Sequence, residues 1–228
     1  MYNYKLETHL HTSEGSACGQ NTGAEMVRGA KAAGYSGVVV TDHFFNGNCA
    51  VRKNIDWRKK TELFALGYKN AKREGDKIGI DVYFGLEYGL QSNDFLIYNF
   101  SAEKIIGYPE IMTDSFDEVS KKIRGEGGFI THAHPFRRES YILYPGRVFP
   151  ELTDAVETFN AAHNNTEYDK LALEYAEEYN LYKLGGSDTH SADFFAGGIA
   201  FENRPGSMEA IISLIKQNEY IILGENSR

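Results

Sequence analysis

The spacing of apolar positions along the chain switches repeatedly between a period of two and one of about 3.6. Tyr4 to Thr8 reads as a first strand. A helical stretch from Ala24 to Ala33 follows and is closed by Gly34, glycine being the residue that most readily takes the left-handed conformation at a helix end. The apolar run from Gly37 to Thr41 reads as a buried strand. A long helix is predicted over Trp57 to Arg73, then strands at Ile80 to Glu87 and Asp94 to Asn99. A helix at Ser115 to Arg124 leads into the strand GFITHAH. Next come a strand at Asp154 to Phe159, a helix at Glu167 to Tyr179 and a strand at Tyr182 to Gly186 running into SDTH. A strand–helix–strand unit occupies Gly198 to Leu223. Such alternation predicts one α/β domain over residues 1–228 with a mainly parallel sheet. About seven or eight strands at this length point to a barrel.

Composition narrows the class. Apolar residues make up 42%, enough for a core, and 32 acidic against 24 basic residues give a net charge of −8. An acidic surface repels long polyanions, whose binding rests on Lys and Arg neutralising phosphates, so long nucleic acid is an unfavoured partner. Two cysteines, Cys18 and Cys49, are too few for a disulfide scaffold and read as free thiols of a reducing compartment. The opening MYNYKLETHLH has no apolar segment behind a basic start. No apolar run approaches the roughly 20 residues that span a bilayer. The expectation is a cytoplasmic protein with no membrane partner.

The histidines supply the chemistry. Six of seven fall at or just past predicted strand ends: His9, His11, His43, His132, His134 and His190. Glu87 and Asp188 share that address. In parallel α/β folds those ends converge on one face, where active sites lie. Alternation along an extended chain puts the outer residues of His9-Leu10-His11, His132-Ala133-His134 and Asp188-Thr189-His190 on one side. Imidazole with carboxylate favours Zn, Mn or Fe over Mg or Ca, and the number of donors exceeds what one ion uses, so two or three divalent cations are expected. His163, several residues beyond its strand, reads as a non-ligand.

Taken in order, HLHTSEGS, VVVTDH, FGLE, AHPF and GSDTH resemble the motifs of the polymerase and histidinol phosphatase (PHP) superfamily, from His9 to His190. The resemblance implies a distorted seven-stranded (β/α) barrel, TIM-barrel-like, with metals on its C-terminal face. It implies a first metal on His9, His11, Glu87 and Asp188, with Glu87 bridging to a second metal on His134. His43 and His190 would hold a third. Where members carry other ligands, Glu14 is the candidate for the third metal and Asp94 for the second. Asp42 is expected to orient a ligand histidine. Glu87, Asp188 and His190 become the catalytic candidates.

The expected reaction is hydrolysis of a small phosphomonoester such as histidinol phosphate, a nucleotide or a sugar phosphate, since clustered metals acidify water. The alternative is a nuclease acting on short oligonucleotides or DNA ends. Arg137 and Arg138 follow the AHPF motif and are the phosphate-binding candidates, an arginine fork matching phosphate oxygens, with His132 beside them. Arg52, Lys53 and Arg58 read as surface positions. The aromatic residues Phe44, Phe45, Tyr141, Tyr144, Phe194 and Phe195 read as packing rather than as stacking platforms.

Overall fold

The computed structural model describes residues 1–52, 54–140 and 142–224; Lys53 and Tyr141 lie outside the described residues. The chain runs β1 (Tyr4–Leu10), α1 (Gly23–Ala32), β2 (Gly37–Val40), α2 (Trp57–Phe64), α3 (Leu66–Ile78), β3 (Asp81–Leu90) and β4 (Asn93–Tyr98). It continues through α4 (Ala102–Ile106), α5 (Phe116–Gly125), β5 (Phe129–Ala133), β6 (Ala155–Asn160), α6 (Glu167–Glu178) and β7 (Tyr182–Gly186). It closes with β8 (Gly198–Phe201), α7 (Met208–Lys216) and β9 (Ile221–Leu223).

Among the described residues nine strands form one sheet in the order β7-β6-β5-β4-β3-β2-β1-β8-β9. The sheet curls until the segment after β7 meets β1: His11 N–H donates to Thr189 O at 2.9 Å and Thr189 N–H to His9 O at 3.1 Å. The barrel is thus nearly closed at the C-terminal rim, where β1 and β7 deliver their histidines and Asp188. Leu6, Val39, Leu96, Phe129, Ala155 and Leu184, from six different strands, fill the interior, and Ile211 and Ile215 of α7 join the same cluster. No helix among the described residues is long and apolar enough to cross a membrane.

Two features differ from the sequence expectation while leaving the barrel intact. Only four of the pairings are parallel, β1–β2, β2–β3, β5–β6 and β6–β7. β4 runs antiparallel to both β3 and β5 because Gln91 and Ser92, at φ 50° and 66°, make a hairpin too short for a crossover helix. β8 and β9 add a further antiparallel edge, giving nine strands rather than seven or eight. The expected helix over Trp57 to Arg73 is two helices parted at Ala65. The break lets α3 lie against α1, with Gly67 set against Thr12 and Asp42, where a β-carbon would overlap the Thr12 hydroxyl.

Candidate metal centre

Strand direction decides which residues meet. The parallel strands end on one face, and β4, running in reverse, begins there. Asp94 at the start of β4 therefore joins residues from the ends of β1, β3, β5 and β7, despite its different position in its strand. Glu87, 1% exposed, is the hub. Its Oε1 lies 3.3 Å from His9 Nε2 and 3.3 Å from His134 Nε2. Its Oε2 lies 3.5 Å from His11 Nε2 and 2.5 Å from His43 Nδ1. Asp188 sits opposite, its Oδ1 3.4 Å from His9 Nε2 and 3.3 Å from His11 Nε2. Among the described residues four groups bring ligand atoms within 4.8 Å of one another: His9, His11 and Asp188; Glu87, Asp94 and His134; His9, His134 and Glu157; and His11, His43 and His190.

The tautomers suit cation binding. Ser16 Oγ donates to Asp42 Oδ1 at 2.8 Å, so it accepts from His11 Nδ1–H at 3.1 Å and from the His43 backbone N–H at 2.9 Å. One donor and two acceptor positions of that hydroxyl are then used. Glu157 Oε1 accepts from His9 Nδ1–H at 2.9 Å, and the Asp188 carbonyl accepts from His190 Nδ1–H at 3.0 Å. Each ring donates through Nδ1 and keeps the Nε2 lone pair, the arrangement of a metal-ligating histidine oriented by an outer partner. Nε2 of His9 and of His11, both on fully buried side chains, make no hydrogen bond. Buried polar atoms are normally satisfied, so these two orphans, facing two carboxylates, fit divalent cations.

Charge in the cluster follows from burial and crowding. Burial opposes ionisation of Glu87, yet His43 and His9 hold it well below the usual carboxylate range. Asp188 is held low against burial by His9 and Arg137. Burial and the neighbouring Glu87 push Asp94 up to about 7. Burial and the nearby His43 drive His11 down to about 3, while at His43 burial is outweighed by the Glu87 charge and the neighbouring hydrogen bonds together, which lift it to about 11. Protons on some imidazoles offset the carboxylates, and cation binding must displace them.

Of the sequence-derived candidates, His9, His11, His43, Glu87, Asp94, His134, Asp188 and His190 converge. Arg137 stands at the rim, 2.6 Å from Asp188 Oδ2, and with Asp94 and His190 it lines a cavity of about 530 Å³. Asp42 acts as expected, reaching His11 through Ser16 and accepting from Thr12 N–H and Oγ1 at 2.6 and 2.7 Å.

Three candidates do not join. Glu14 Oε2 accepts from Gly23 N–H at the start of α1 and Oε1 from Asn70 Nδ2, each at 2.9 Å. Both oxygens are occupied on the helix side, so Glu14 is not placed for a third metal. His132 points outward through the sheet, stacked on Phe95 at 4.7 Å and edge-on to Phe149 and Tyr175. The alternation expected of His132 and His134 fails because His134 lies past the end of β5 at φ 29°, which turns its side chain inward. Arg138 is exposed and does not line the cavity. Phe44 and Phe45 belong to an aromatic core cluster with Phe64, and His163 pairs with Asp169 at 2.7 Å.

Sequence reasoning passed over two residues. Glu157 accepts from His9 through Oε1, and through Oε2 from His134 N–H at 3.1 Å and Asn160 Nδ2 at 2.8 Å. A carboxylate inside a strand with no other charged residue was its signal. Gly186 makes room for it: a β-carbon there would overlap Glu157 Oε1 and stand 2.7 Å from His9 Cβ. The second is Cys18, which lines the cavity beside His43 and His190.

The geometry defines a barrel with a histidine–carboxylate cluster suited to divalent cations at its C-terminal mouth. The PHP-domain profile matches residues 7–196, and the chain belongs to that family. A 79-residue stretch, 32% of the chain, is 35% identical to an uncharacterized protein of Methanocaldococcus jannaschii and spans 33% of that relative's length. A two-domain protein from Bacteroides vulgatus, described as containing a predicted PHP-like metal-dependent phosphoesterase, superposes with a TM-score of 0.70 at 15% identity. That match covers 96% of this chain and 64% of the other. PsfC from Pseudomonas syringae gives 0.61 at 18% identity, covering 93% and 89%. An amidohydrolase from Chromobacterium violaceum, solved with sulfate and no metal, gives 0.57 at 13% identity, covering 98% and 100%.

Proposed function

We propose that the chain is a metal-dependent phosphoesterase hydrolysing a small phosphomonoester, with histidinol phosphate, a nucleotide or a sugar phosphate as the candidate substrates. His9, His11, Glu87 and Asp188 would hold one cation, Glu87, Asp94 and His134 a second, and His43 and His190 a third. Cations of the Zn, Mn or Fe type held there acidify water and polarise a phosphoryl oxygen. The protein's own contribution is positioning. Glu87 spans the groups with its two oxygens, and Asp188 ties β7 to the histidines of β1. The Nδ1 partners of His9, His11 and His190 fix those rings against rotation.

The observation that carries the phosphate reading is Arg137. Its guanidinium is anchored on Asp188 at the cavity rim, 14% exposed, where an incoming phosphoryl group would meet it bidentately. A cavity of about 530 Å³ suits a small molecule. Among the described residues lining it, Arg137 is the sole Lys or Arg, so the basic groove that a nuclease needs along a strand has no support here.

The test is to quantify Zn, Mn and Fe in the purified protein and to assay a panel of phosphomonoesters beside short oligonucleotides. Bound metal with phosphomonoester turnover is expected. Absence of metal, or metal without turnover of any phosphomonoester, refutes the reading.

A further inference from the structure

The tip of the β3–β4 hairpin stands at the mouth of the cavity. Leu90 pairs with Asn93, so Gln91 and Ser92 alone make the turn, at φ 50° and 66°. A two-residue turn with both residues at positive φ favours Asn-Gly, and glutamine and serine are strained there. Among the described residues, the other non-glycine positions at positive φ are of two kinds. Asn99, Asn180 and Asn218 are asparagines, which tolerate that conformation. His134 and Asp188 belong to the histidine–carboxylate cluster. Strained backbone collects where a site needs a particular side chain, and Gln91 and Ser92 both line the cavity.

The turn has a defined chemistry. Arg147 Nη1 donates to Gln91 Oε1 at 2.5 Å. Arginine offers only donors, so the amide oxygen is fixed toward it and the Gln91 NH2 is left to donate elsewhere. The Ser92 hydroxyl can donate and accept. Asn46 is spent on holding the hairpin: its Nδ2 donates to Gly89 O at 2.7 Å and its Oδ1 accepts from Gly89 N–H at 3.2 Å. The wall continues with Asn48, Leu90 and Ile142. Among its described residues it therefore offers amides, a hydroxyl and aliphatic surface, with no charge and no Phe, Tyr or Trp. Ser92 stands two residues from Asp94, roughly 6–7 Å along the strand. A phosphoryl group held between the cluster and Arg137 would send its ester substituent along this wall.

We propose that the wall recognises the alcohol carrying the phosphate, and that this alcohol is a small uncharged polyol such as a sugar. Its hydroxyls meet the Gln91 NH2 and the Ser92 hydroxyl, and its C–H faces lie on Leu90 and Ile142. An ammonium or imidazolium group on the alcohol would find no counter-charge on the wall, and a base no ring to stack on. The inference rests on the phosphoesterase reading and narrows its substrate. Gln91 and Ser92 then determine specificity from outside the cation cluster, kept although Asn-Gly would make the more stable turn.

The test compares esters that differ in their hydroxyls. Full-length protein supplied with Zn, Mn or Fe is assayed on glycerol, pentose and hexose phosphates, on straight-chain alkyl phosphates of matching carbon number, and on AMP and histidinol phosphate. The polyol esters should exceed their alkyl counterparts in kcat/KM by at least about tenfold, the worth of one or two hydrogen bonds, with AMP and histidinol phosphate poorer than the polyol esters. In Gln91→Asn combined with Ser92→Gly that ratio should fall to within about twofold, through a higher KM for the polyol esters. The relaxed turn should meanwhile raise Tm by about 2–4 °C, a combination that a merely structural role would not produce. Equal kcat/KM for polyol and alkyl esters in the wild type, or preference for AMP or histidinol phosphate, overturns the polyol assignment whether or not the variant folds. A ratio that survives the double substitution, or that falls only together with Tm, overturns the role of the turn. Each of these leaves the phosphoesterase reading standing, whereas no turnover of any ester overturns both.

Discussion

Glu157→Gln probes the support beneath the cluster with almost no change of volume. Oε1 of Glu157 accepts from His9 Nδ1–H, and Oε2 accepts from His134 N–H and Asn160 Nδ2. A glutamine has one acceptor oxygen and one donor nitrogen. With its oxygen toward His9, its NH2 confronts two donors, one of them a backbone N–H that cannot turn away. With the NH2 toward His9, the imidazole must accept at Nδ1 and carry its proton on Nε2, the atom facing Glu87 and Asp188. Either orientation leaves buried donors unmet at about 1–3 kcal/mol each, or blocks the ring nitrogen that would bind a cation. Losses of outer partners of ligating histidines typically cost 10- to 100-fold in affinity, about 1.4–2.8 kcal/mol. The variant should therefore bind its tightest zinc about 10- to 100-fold more weakly in competition with a chromophoric chelator at neutral pH, while circular dichroism remains that of the folded protein. Zinc affinity within twofold of wild type would refute the assignment of His9 Nε2 as a cation-facing atom held by Glu157.

His132→Phe should stabilise the protein without touching the site, because both ring nitrogens of His132 are buried without partners among aromatic rings. A gain of about 1 kcal/mol, or about 2–4 °C in Tm, is expected; a fall in kcat/KM would restore His132 to substrate binding. Burial, then the nearby His134, push the His132 imidazole down to about 3 from its ordinary 6.5. Only the unfolded chain takes up that proton between those pH values, so wild-type stability falls with pH there by up to about 1.4 kcal/mol per unit. His132→Phe removes this term, and its advantage in urea titrations should widen as pH drops from 6.5. Glu14→Ala should cost about 1 kcal/mol through the lost interaction at the start of α1 with metal content unchanged; a lost metal would return Glu14 to the cluster. Arg137→Ala should raise KM for phosphomonoesters more than it lowers kcat, and an unchanged KM would leave Arg137 as a structural partner of Asp188.

The address of the site was legible before any coordinate. The strand periodicity and the repeated placement of His9, His11, His43, Glu87, Asp188 and His190 at strand ends depend on local sequence, and parallel strands of a barrel necessarily bring such ends to one face. Asp94 was also readable, through the resemblance to PHP motifs. The failures were orientational. Glu14 lies three residues beyond His11 in the chain, but the loop turns it toward α1. His132 and His134 obey strand alternation only while the backbone stays extended, and His134, one residue past the end of β5, has a φ of 29°.

Glu157 and Cys18 show the other limit. Each is a single polar residue with no motif, and each matters because of what a distant segment brings to it: β1 carries His9 across to Glu157, and the loop before α1 lies against His190. Sequence alone determined the fold class, the metal-binding character and the face on which it sits, because periodicity and donor type are local properties. Tertiary structure decided which donors point inward and which partner holds each ring, because those depend on side-chain directions and on contacts such as His9–Glu157, 148 positions apart.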